Sequence, residues 1–477
     1  MEMSVSRTMI VPMIVASALF MENLDSTIIT TALPRMAESF ETTPIHLSVG
    51  ITAYILSLAI FIPVSGWVAD RFGARTVFRS AIAVFTLGSV LCGFCNNVAE
   101  FAAARVLQGV GGAMMVPVGR LVMFRSVARS EFVTAMAYLT VPALVGPILG
   151  PPVGGFITTY ASWRWIFFLN LPVGILGIVL VTRFIENYRE PESPSLDWIG
   201  FLLSGTSIAS LVYACDQVER PEASALAVLA LFGLCLAAGA ATAWHVRRRA
   251  HPVIDPTLLR IPTFSVSVLG GALFRVGTAS LNYLLPILLQ IGIGMTAFTS
   301  GLLTVAAAAG SFAMKIAALK ILRRWGFRTV LVANGAISAL SVLVCAVFTG
   351  ATPFAVIFVV LLIGGFFRSL QYTALNSIAF ADIAAPRMSA ATSFSSMVQQ
   401  ISNGMGVAFA AVVLNLILVS RDHSLTEIPL VDIAFTLIFM AAVTLTSCLY
   451  FTRLAPDAAA EVSGHRQPQR RSDPAPP

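Results

Sequence analysis

Apolar residues in this chain come in long runs, without the period of an amphipathic helix or the alternation of a strand, and each run ends at a short polar turn. A bilayer core is crossed by about 20 helical residues, so these runs predict spans; about fourteen can be counted. They lie near 9–33, 47–68, 76–94, 99–122, 134–158, 165–184, 198–215, 224–244, 264–288, 298–320, 329–348, 353–374, 389–418 and 430–452.

Among the turns, Gly66-Trp-Val-Ala-Asp70-Arg71-Phe-Gly73-Ala-Arg75 is the most informative. Arg71, Arg75 and Arg79 lie within a few residues of two span ends, where basic residues are retained on the cytoplasmic side, so this turn is expected to face the cytoplasm. Gly73 permits the turn to be tight. Any short cytoplasmic loop can resemble G-x-x-x-D-R-x-G-x-R, but a second copy strengthens the reading. Trp325-Gly326-Phe327-Arg328-Thr329-Val330 repeats Phe72-Gly73-Ala74-Arg75-Thr76-Val77 at one constant offset, again between apolar runs. The chain therefore reads as two related halves.

Composition removes the soluble alternatives. The 477 residues are 57% hydrophobic and 11% charged, against about 25% charged in soluble proteins, and the mean hydropathy is +0.85. In a soluble chain the net charge of +7 would point to nucleic acid; here it follows from Arg-rich loops facing an anionic leaflet, and no nucleic-acid partner is expected. With the N-terminus inside, only Arg35, Arg164, Arg220 and Arg421 fall outside and Arg105, Arg275, Lys315 and Arg368 fall within spans; the rest of the 30 Lys and Arg are cytoplasmic. Both termini are thus expected in the cytoplasm. The run 9–33 is too long for a signal core and lacks a small-residue cleavage site, so it is expected to remain.

Leu196-Asp197-Trp198 opens a pair of spans that ends in Arg247-Arg248-Arg249, between the two copies of the turn. The expected layout is a six-helix half at 1–190, a two-helix insert at 191–250, a second six-helix half at 251–454 and a disordered cytoplasmic tail at 455–477. The six cysteines are scattered through apolar segments. Cys92 and Cys95 spell C-x-x-C without a second pair or a nearby His, so no metal and no cofactor is expected.

Ionisable groups at depth cost about 2.5–3.5 kcal/mol on insertion scales, which makes each one a functional candidate. Glu22 and Asp25 are three apart and share one face of the first span. Burial disfavours their charged form, the property a proton carrier needs, although Asp25 could also simply anchor the helix. Arg105 lies in the fourth span within Arg105-Val-Leu-Gln108-Gly109-Val-Gly111-Gly112, positioned either to pair with a carboxylate in proton coupling or to form a structural ion pair. In Gly146-Pro147-Ile-Leu-Gly150-Pro151-Pro152-Val-Gly154-Gly155, three glycines at four-residue intervals leave one helix face bare, and the prolines bend the helix; the face serves either rocking or static packing. Arg275, Lys315 and Arg368 are all cationic, and with Gln108 they are candidates for a substrate cavity, although Lys315 and Arg368 are near enough to span ends to snorkel.

Together these stretches resemble the fourteen-span drug:proton antiporter branch (EmrB/QacA type) of the major facilitator superfamily, and more closely its MdtD group. The resemblance covers nearly the whole membrane part. It rests on Leu24-Asp25-Ser-Thr27-Ile-Ile-Thr-Thr-Ala32-Leu33-Pro34, the Gly66 to Arg75 turn, Arg105-Val-Leu-Gln108-Gly109, the Gly146 to Gly155 stretch and Ser162-Trp163-Arg164-Trp165-Ile-Phe-Phe-Leu-Asn170-Leu-Pro172. It implies an all-α polytopic protein of the major facilitator fold, two six-helix halves plus a two-helix insert. It further implies proton coupling through Asp25 and Arg105, with Glu22 less secure, a cytoplasmic gating loop at Gly66, Asp70, Arg71, Gly73 and Arg75, and an antiporter helix at Gly146, Pro147, Gly150, Pro151 and Gly154. In the second copy of the loop Arg323 stands where Asp70 stands in the first, so the latch is expected in the first copy alone.

The expected function is proton-coupled efflux of small organic compounds across a bacterial inner membrane by alternating access, by a monomer rather than an enzyme, with substrate, protons and lipid as partners. The alternatives are a dedicated exporter of one metabolite, such as a sugar, amino acid or siderophore, and a non-transporting sensor or scaffold.

Overall fold

The computed structural model describes residues 7–42, 44–189, 195–218, 224–249, 252–421 and 428–465, and within them the chain is helical with no strand. The long helices are α1 (Arg7–Ser39), α2 (Val49–Phe72), α3 (Ala74–Phe94), α4 (Val98–Ser126), α5 (Phe132–Tyr160), α6 (Trp165–Phe184), α7 (Trp198–Val218) and α8 (Ala225–Val246). The second half follows as α9 (Pro262–Gly292), α10 (297–325), α11 (327–345), α12 (Phe354–Ile378), α13 (Met388–Ser420) and α14 (Leu430–Phe451).

Every run read from the sequence is thus a helix, but the count of fourteen spans is not confirmed. Among the described residues eleven helices are long and apolar enough to cross a membrane, or twelve if Ile10–Ile29 and Thr31–Ser39, bent by 61°, form one span. The difference lies in α5, which includes residues whose side chains lie outside the described set, and in α10, which runs into α11.

The break between α10 and α11 is Gly326, with φ +70°, and its counterpart Gly73 has φ +91°. Both torsions disfavour a residue with a Cβ, so glycine sets the reversal in each copy of the turn. Gly73 N–H still closes α2 by donating to Ala69 O at 2.9 Å, and Ala74 N–H, the first of α3, donates to Tyr188 O at 2.9 Å.

In the first half α4 sits between α2 and α3 because glycines remove the side chains that would hold it off. A Cβ at Gly109 would lie 2.6 Å from Ser57 Cβ, and one at Gly111 would lie 2.5 Å from Phe85 N. The bare face of α5 packs on α1: a Cβ at Gly146 would meet Leu24 N at 2.9 Å, and Gly150 and Gly154 lie against the hydroxyls of Thr27 and Thr31. The glycine stripe is therefore the seat of the helix that carries Asp25. The side chains of Pro147 and Pro151 lie outside the described residues.

The insert attaches through one helix. Phe201 of α7 meets Phe61 of α2 at 5.8 Å between ring centroids, and α7 also touches α13, so it spans both halves. By contrast only 6% of the apolar window of α8 is buried, which leaves that helix to lipid. Of the tail expected to be disordered, residues 455–465 are described and fold back: Val462 is buried and His465 Nδ1 lies 2.9 Å from Arg323 O, beside the second turn. Residues 466–477 lie outside the described set.

Candidate functional site

An apolar helix can hold a carboxylate at depth only if neighbouring helices supply donors. Asp25 and Arg105 side chains are each 1% exposed and pair at 2.6 Å between Oδ2 and Nη1. Arg105 Nη1 also donates to Gln108 Oε1 at 2.6 Å, and Gln108 Nε2 donates to Asp25 Oδ1 at 2.9 Å. The i, i+3 spacing of Arg105 and Gln108 places both on the face of α4 turned to α1.

From α6, Asn170 Nδ2 donates to Asp25 Oδ1 at 3.0 Å and to Ser89 Oγ of α3 at 2.9 Å, while Ser89 Oγ donates to Phe167 O at 2.9 Å. From α2, Gly50 O accepts from Arg105 Nε at 3.4 Å, and the Tyr54 ring lies 4.2 Å from the guanidinium carbon. Five helices thus converge on one ion pair. Among the described residues three donors, from Arg105, Gln108 and Asn170, face the carboxylate, and its charge is the one that holds Arg105 in place.

Glu22, three residues before Asp25, is outside this network. Its Oε2 is buried and has no hydrogen-bond partner among the described residues. Arg120 acts on it electrostatically, and Arg120 in turn donates through Nη2 to Gln399 Oε1 of α13 at 3.1 Å, crossing between halves. The charge count places Arg120 on the cytoplasmic side, and Leu121-Val-Met-Phe124 continues the apolar run beyond it.

The other proposed cavity residues divide. Arg275 is buried, donates to Asn376 Oδ1 at 3.1 Å and lies 5.6 Å from the Tyr372 ring centroid. Lys315 donates to Thr373 Oγ1 at 2.7 Å, and Arg368 makes no hydrogen bond among the described residues. Gln108, proposed for the cavity, is bound to Asp25 instead. The helix carrying Arg275 is not uniform: α9 widens into π-turns at Val266–Gly270 and Ile287–Gly292, which places Arg275 on an α-helical stretch between two irregular ones.

At the end of the bundle where α2 meets α3, the halves are joined by polar contacts. Ser389 Oγ of α13 donates to Asp70 Oδ2, and Arg125 Nη2 lies 3.6 Å from Asp70 Oδ1. Ser65 Oγ and Ser393 Oγ share a hydrogen bond of 2.8 Å, and Gly66 leaves room for α13: a Cβ there would sit 2.7 Å from Ser389 O. Beyond α4, Arg129 donates to the carbonyls of Ala381 and Ile383. Of the loop residues named from sequence, Arg71 is exposed without a bond among the described residues and Arg75 reaches Ile185 O at 3.5 Å.

A cavity of about 700 Å³ opens beside these contacts, lined by Gly66, Asp70, Asp197, Arg247, Asp255 and Arg387 among others. Asp255 pairs with Arg387 at 2.8 Å. Burial pushes its carboxyl up, but hydrogen bonds from Thr257 and Arg387 outweigh that and hold it below the ordinary aspartate value.

The sequence profile described as Major Facilitator Superfamily matches residues 15–407. The MdtD protein of Pectobacterium atrosepticum, provisionally named for multidrug resistance, is 36% identical over 446 residues, covering 93% of this chain and 95% of that protein. Its counterpart in Klebsiella pneumoniae subsp. pneumoniae is 38% identical over 450 residues, covering 93% and 94%. Among solved structures, the human organic anion transporter MFSD10 superposes with a TM-score of 0.66 at 13% identity, covering 93% of this chain and 99% of that one. The proton:xylose symporter XylE bound to 6-bromo-6-deoxy-D-glucose gives 0.62 at 14%, covering 94% and 95%. Those two likenesses bear on the fold alone; the profile and the MdtD relatives place this multi-pass membrane protein in the major facilitator superfamily, beside the MdtD proteins.

Proposed function

We propose that the chain is a proton-coupled exporter of small organic compounds in a bacterial inner membrane, working by alternating access, and not an enzyme. The observation that carries the reading is the buried Asp25–Arg105 pair with Gln108 and Asn170 around it. A carboxylate held only by donors and matched to one guanidinium can change its charge when those contacts part, which is what coupling to a proton requires. Alternating access is supported by an uneven joining of the halves: around the latch one apolar core, with Phe124 against Phe380 at 4.5 Å, and polar contacts run across them, while two further clusters belong to one half each. The outward direction of transport is supported by the multidrug resistance name of the relatives. Arg275, Lys315 and Arg368 are proposed for the cavity wall.

Purified protein in proteoliposomes should couple the uphill movement of organic compounds to proton flow in the opposite direction, and a protonophore should abolish it. Compounds moving only down their gradients, with no accompanying proton signal across a broad panel, would refute the reading.

The positive charges also set the topology: both termini are proposed to be cytoplasmic, with 198–244 an out-and-back hairpin. Reporters fused after Glu219, which lies outside the described residues, and after Arg249 should give opposite sides. The same side for both would refute it.

A further inference from the structure

We infer that the cavity of about 700 Å³ beside the contacts between the halves holds the phosphate headgroup of an anionic phospholipid, gripped by Arg247, Arg249 and Arg260. The cavity has the size of a small-ligand pocket, about 300–1,000 Å³. Its walls come from three parts of the chain: Gly66 and Trp67 of α2, Asp197 and Arg247 at the two ends of the insert, and Arg260 and Arg387 of the second half. It is therefore the place where the insert meets both halves. A ligand seated there is independent of what the chain exports.

The charges around it favour an anion. Each acid on the wall already has partners: Asp70 takes the Ser389 hydroxyl and lies against Arg125, Asp197 Oδ1 accepts from Gly200 N–H at 3.0 Å and meets His245 Nε2 at 2.8 Å, and Asp255 is paired with Arg387. Arg247, Arg249 and Arg260 line the same cavity, are exposed, and make no ion pair or side-chain hydrogen bond among the described residues. Three guanidiniums around one space repel each other until an anion enters. The planar guanidinium fork matches the oxygens of a phosphate.

The setting points to a lipid as the source of that phosphate. Arg247 and Arg249 follow directly on α8, the helix left to lipid, and lie at its last turn. Trp198 and Trp244, at the same end of the insert, are both exposed, and Arg248 stacks 4.1 Å from the Trp244 ring. Exposed tryptophans at span ends mark the boundary between hydrocarbon and water, so the cavity lies at headgroup level. Basic pockets between helices at that level take anionic headgroups. Pro63, Trp67 and Val253 add an apolar wall against which the glycerol and the first methylenes can lie. A lipid seated in this way ties the insert to both halves.

The test is native mass spectrometry of the full chain in a neutral detergent, with dioleoyl phosphatidylglycerol, dioleoyl phosphatidylcholine and glycerol 1-phosphate as probes. Phosphatidylglycerol should be retained at least about tenfold more tightly than either of the others. Near a membrane surface one arginine contributes about a fivefold change in binding, so Arg247→Gln, Arg249→Gln and Arg260→Gln should each weaken retention by about that factor, and the triple variant by about a hundredfold. Arg324→Gln and Arg453→Gln, at the ends of α10 and α14 and outside the cavity wall, should change it less than twofold. Position is read separately. With the native cysteines replaced, a cysteine at Ala390 on the cavity wall should react with N-ethylmaleimide several-fold more slowly in phosphatidylglycerol nanodiscs than in phosphatidylcholine ones, and the triple variant should lose that protection. Equal retention of the two lipids would overturn the proposal, as would equal losses in the cavity and control variants, which would mean attraction to the basic surface as a whole. Glycerol 1-phosphate held as tightly as phosphatidylglycerol would make the site one for a soluble phosphate and overturn the lipid assignment.

Discussion

Asp25→Asn protein should bind its substrate and fail to raise a substrate gradient. One proton returning through 100 mV contributes about 2.3 kcal/mol, which sustains a gradient of nearly fiftyfold at one-to-one exchange. The variant cannot load or release that proton, so its gradient should collapse to about one. The geometry adds a second effect. An amide at position 25 leaves Arg105 buried without its counter-charge, and loss of one partner of a buried pair costs about 3–5 kcal/mol. Asp25→Asn should therefore melt earlier than wild type. Adding Arg105→Gln removes the orphaned charge and should recover most of the melting temperature without recovering uphill export. That split between stability and coupling separates a proton carrier from a structural ion pair. Glu22→Gln, outside the hydrogen-bonded network, should keep a proton-dependent gradient. Export by Asp25→Asn vesicles with its proton dependence intact would move the assignment to Glu22.

Asp70→Asn should open the latched end. The carboxylate accepts from Ser389 of the opposite half and pairs with Arg125, whose guanidinium is itself stacked 4.0 Å from the Tyr188 ring. A charged hydrogen bond contributes about 1.5–3 kcal/mol and a partly exposed pair less than about 1, so loss of the charge should shift the population by about 30-fold. With the six native cysteines replaced, a cysteine at Ala390, which lines the latch cavity, should be labelled by an impermeant maleimide correspondingly faster. Gly66→Val should do the same without touching a charge, because its side chain would push against the Ser389 carbonyl. Labelling rates unchanged in both variants would rule out this contact as the gate.

The two predictions draw on residues of unequal legibility. Asp25, Arg105, Asp70 and the glycine stripe were readable because each breaks a local rule: a charge inside an apolar run, an acid beside a basic turn, three glycines on one helix face. Neutral polar residues break no such rule. Asn170 and Ser89 hold the same ion pair, and Ser389 holds Asp70, yet in the sequence they are ordinary residues of membrane helices. Asn170 did lie within a stretch that carried the family resemblance, without a role attached to it. That Arg120 bonds across to Gln399 was not legible either, because a residue near a span end gives no sign of which neighbouring helix it meets.

By itself the sequence determined that the chain is a helical membrane protein, where its helices run, that its turns repeat, and which charges are too deep to be incidental. The bilayer enforces those properties on every residue one at a time, through hydrophobic length and the cost of burying charge. Only the tertiary structure decided which charges meet. Asp25 and Arg105 are 80 residues apart, Arg120 and Gln399 are 279 apart and Asp70 and Ser389 are 319 apart, so their pairing depends on how helices rotate and approach, which small residues such as Gly66 and Gly109 permit. It also decided that Gln108 joins the Asp25–Arg105 network and that Arg120 faces the other half. These are properties of helix packing, and no local pattern along the chain encodes them.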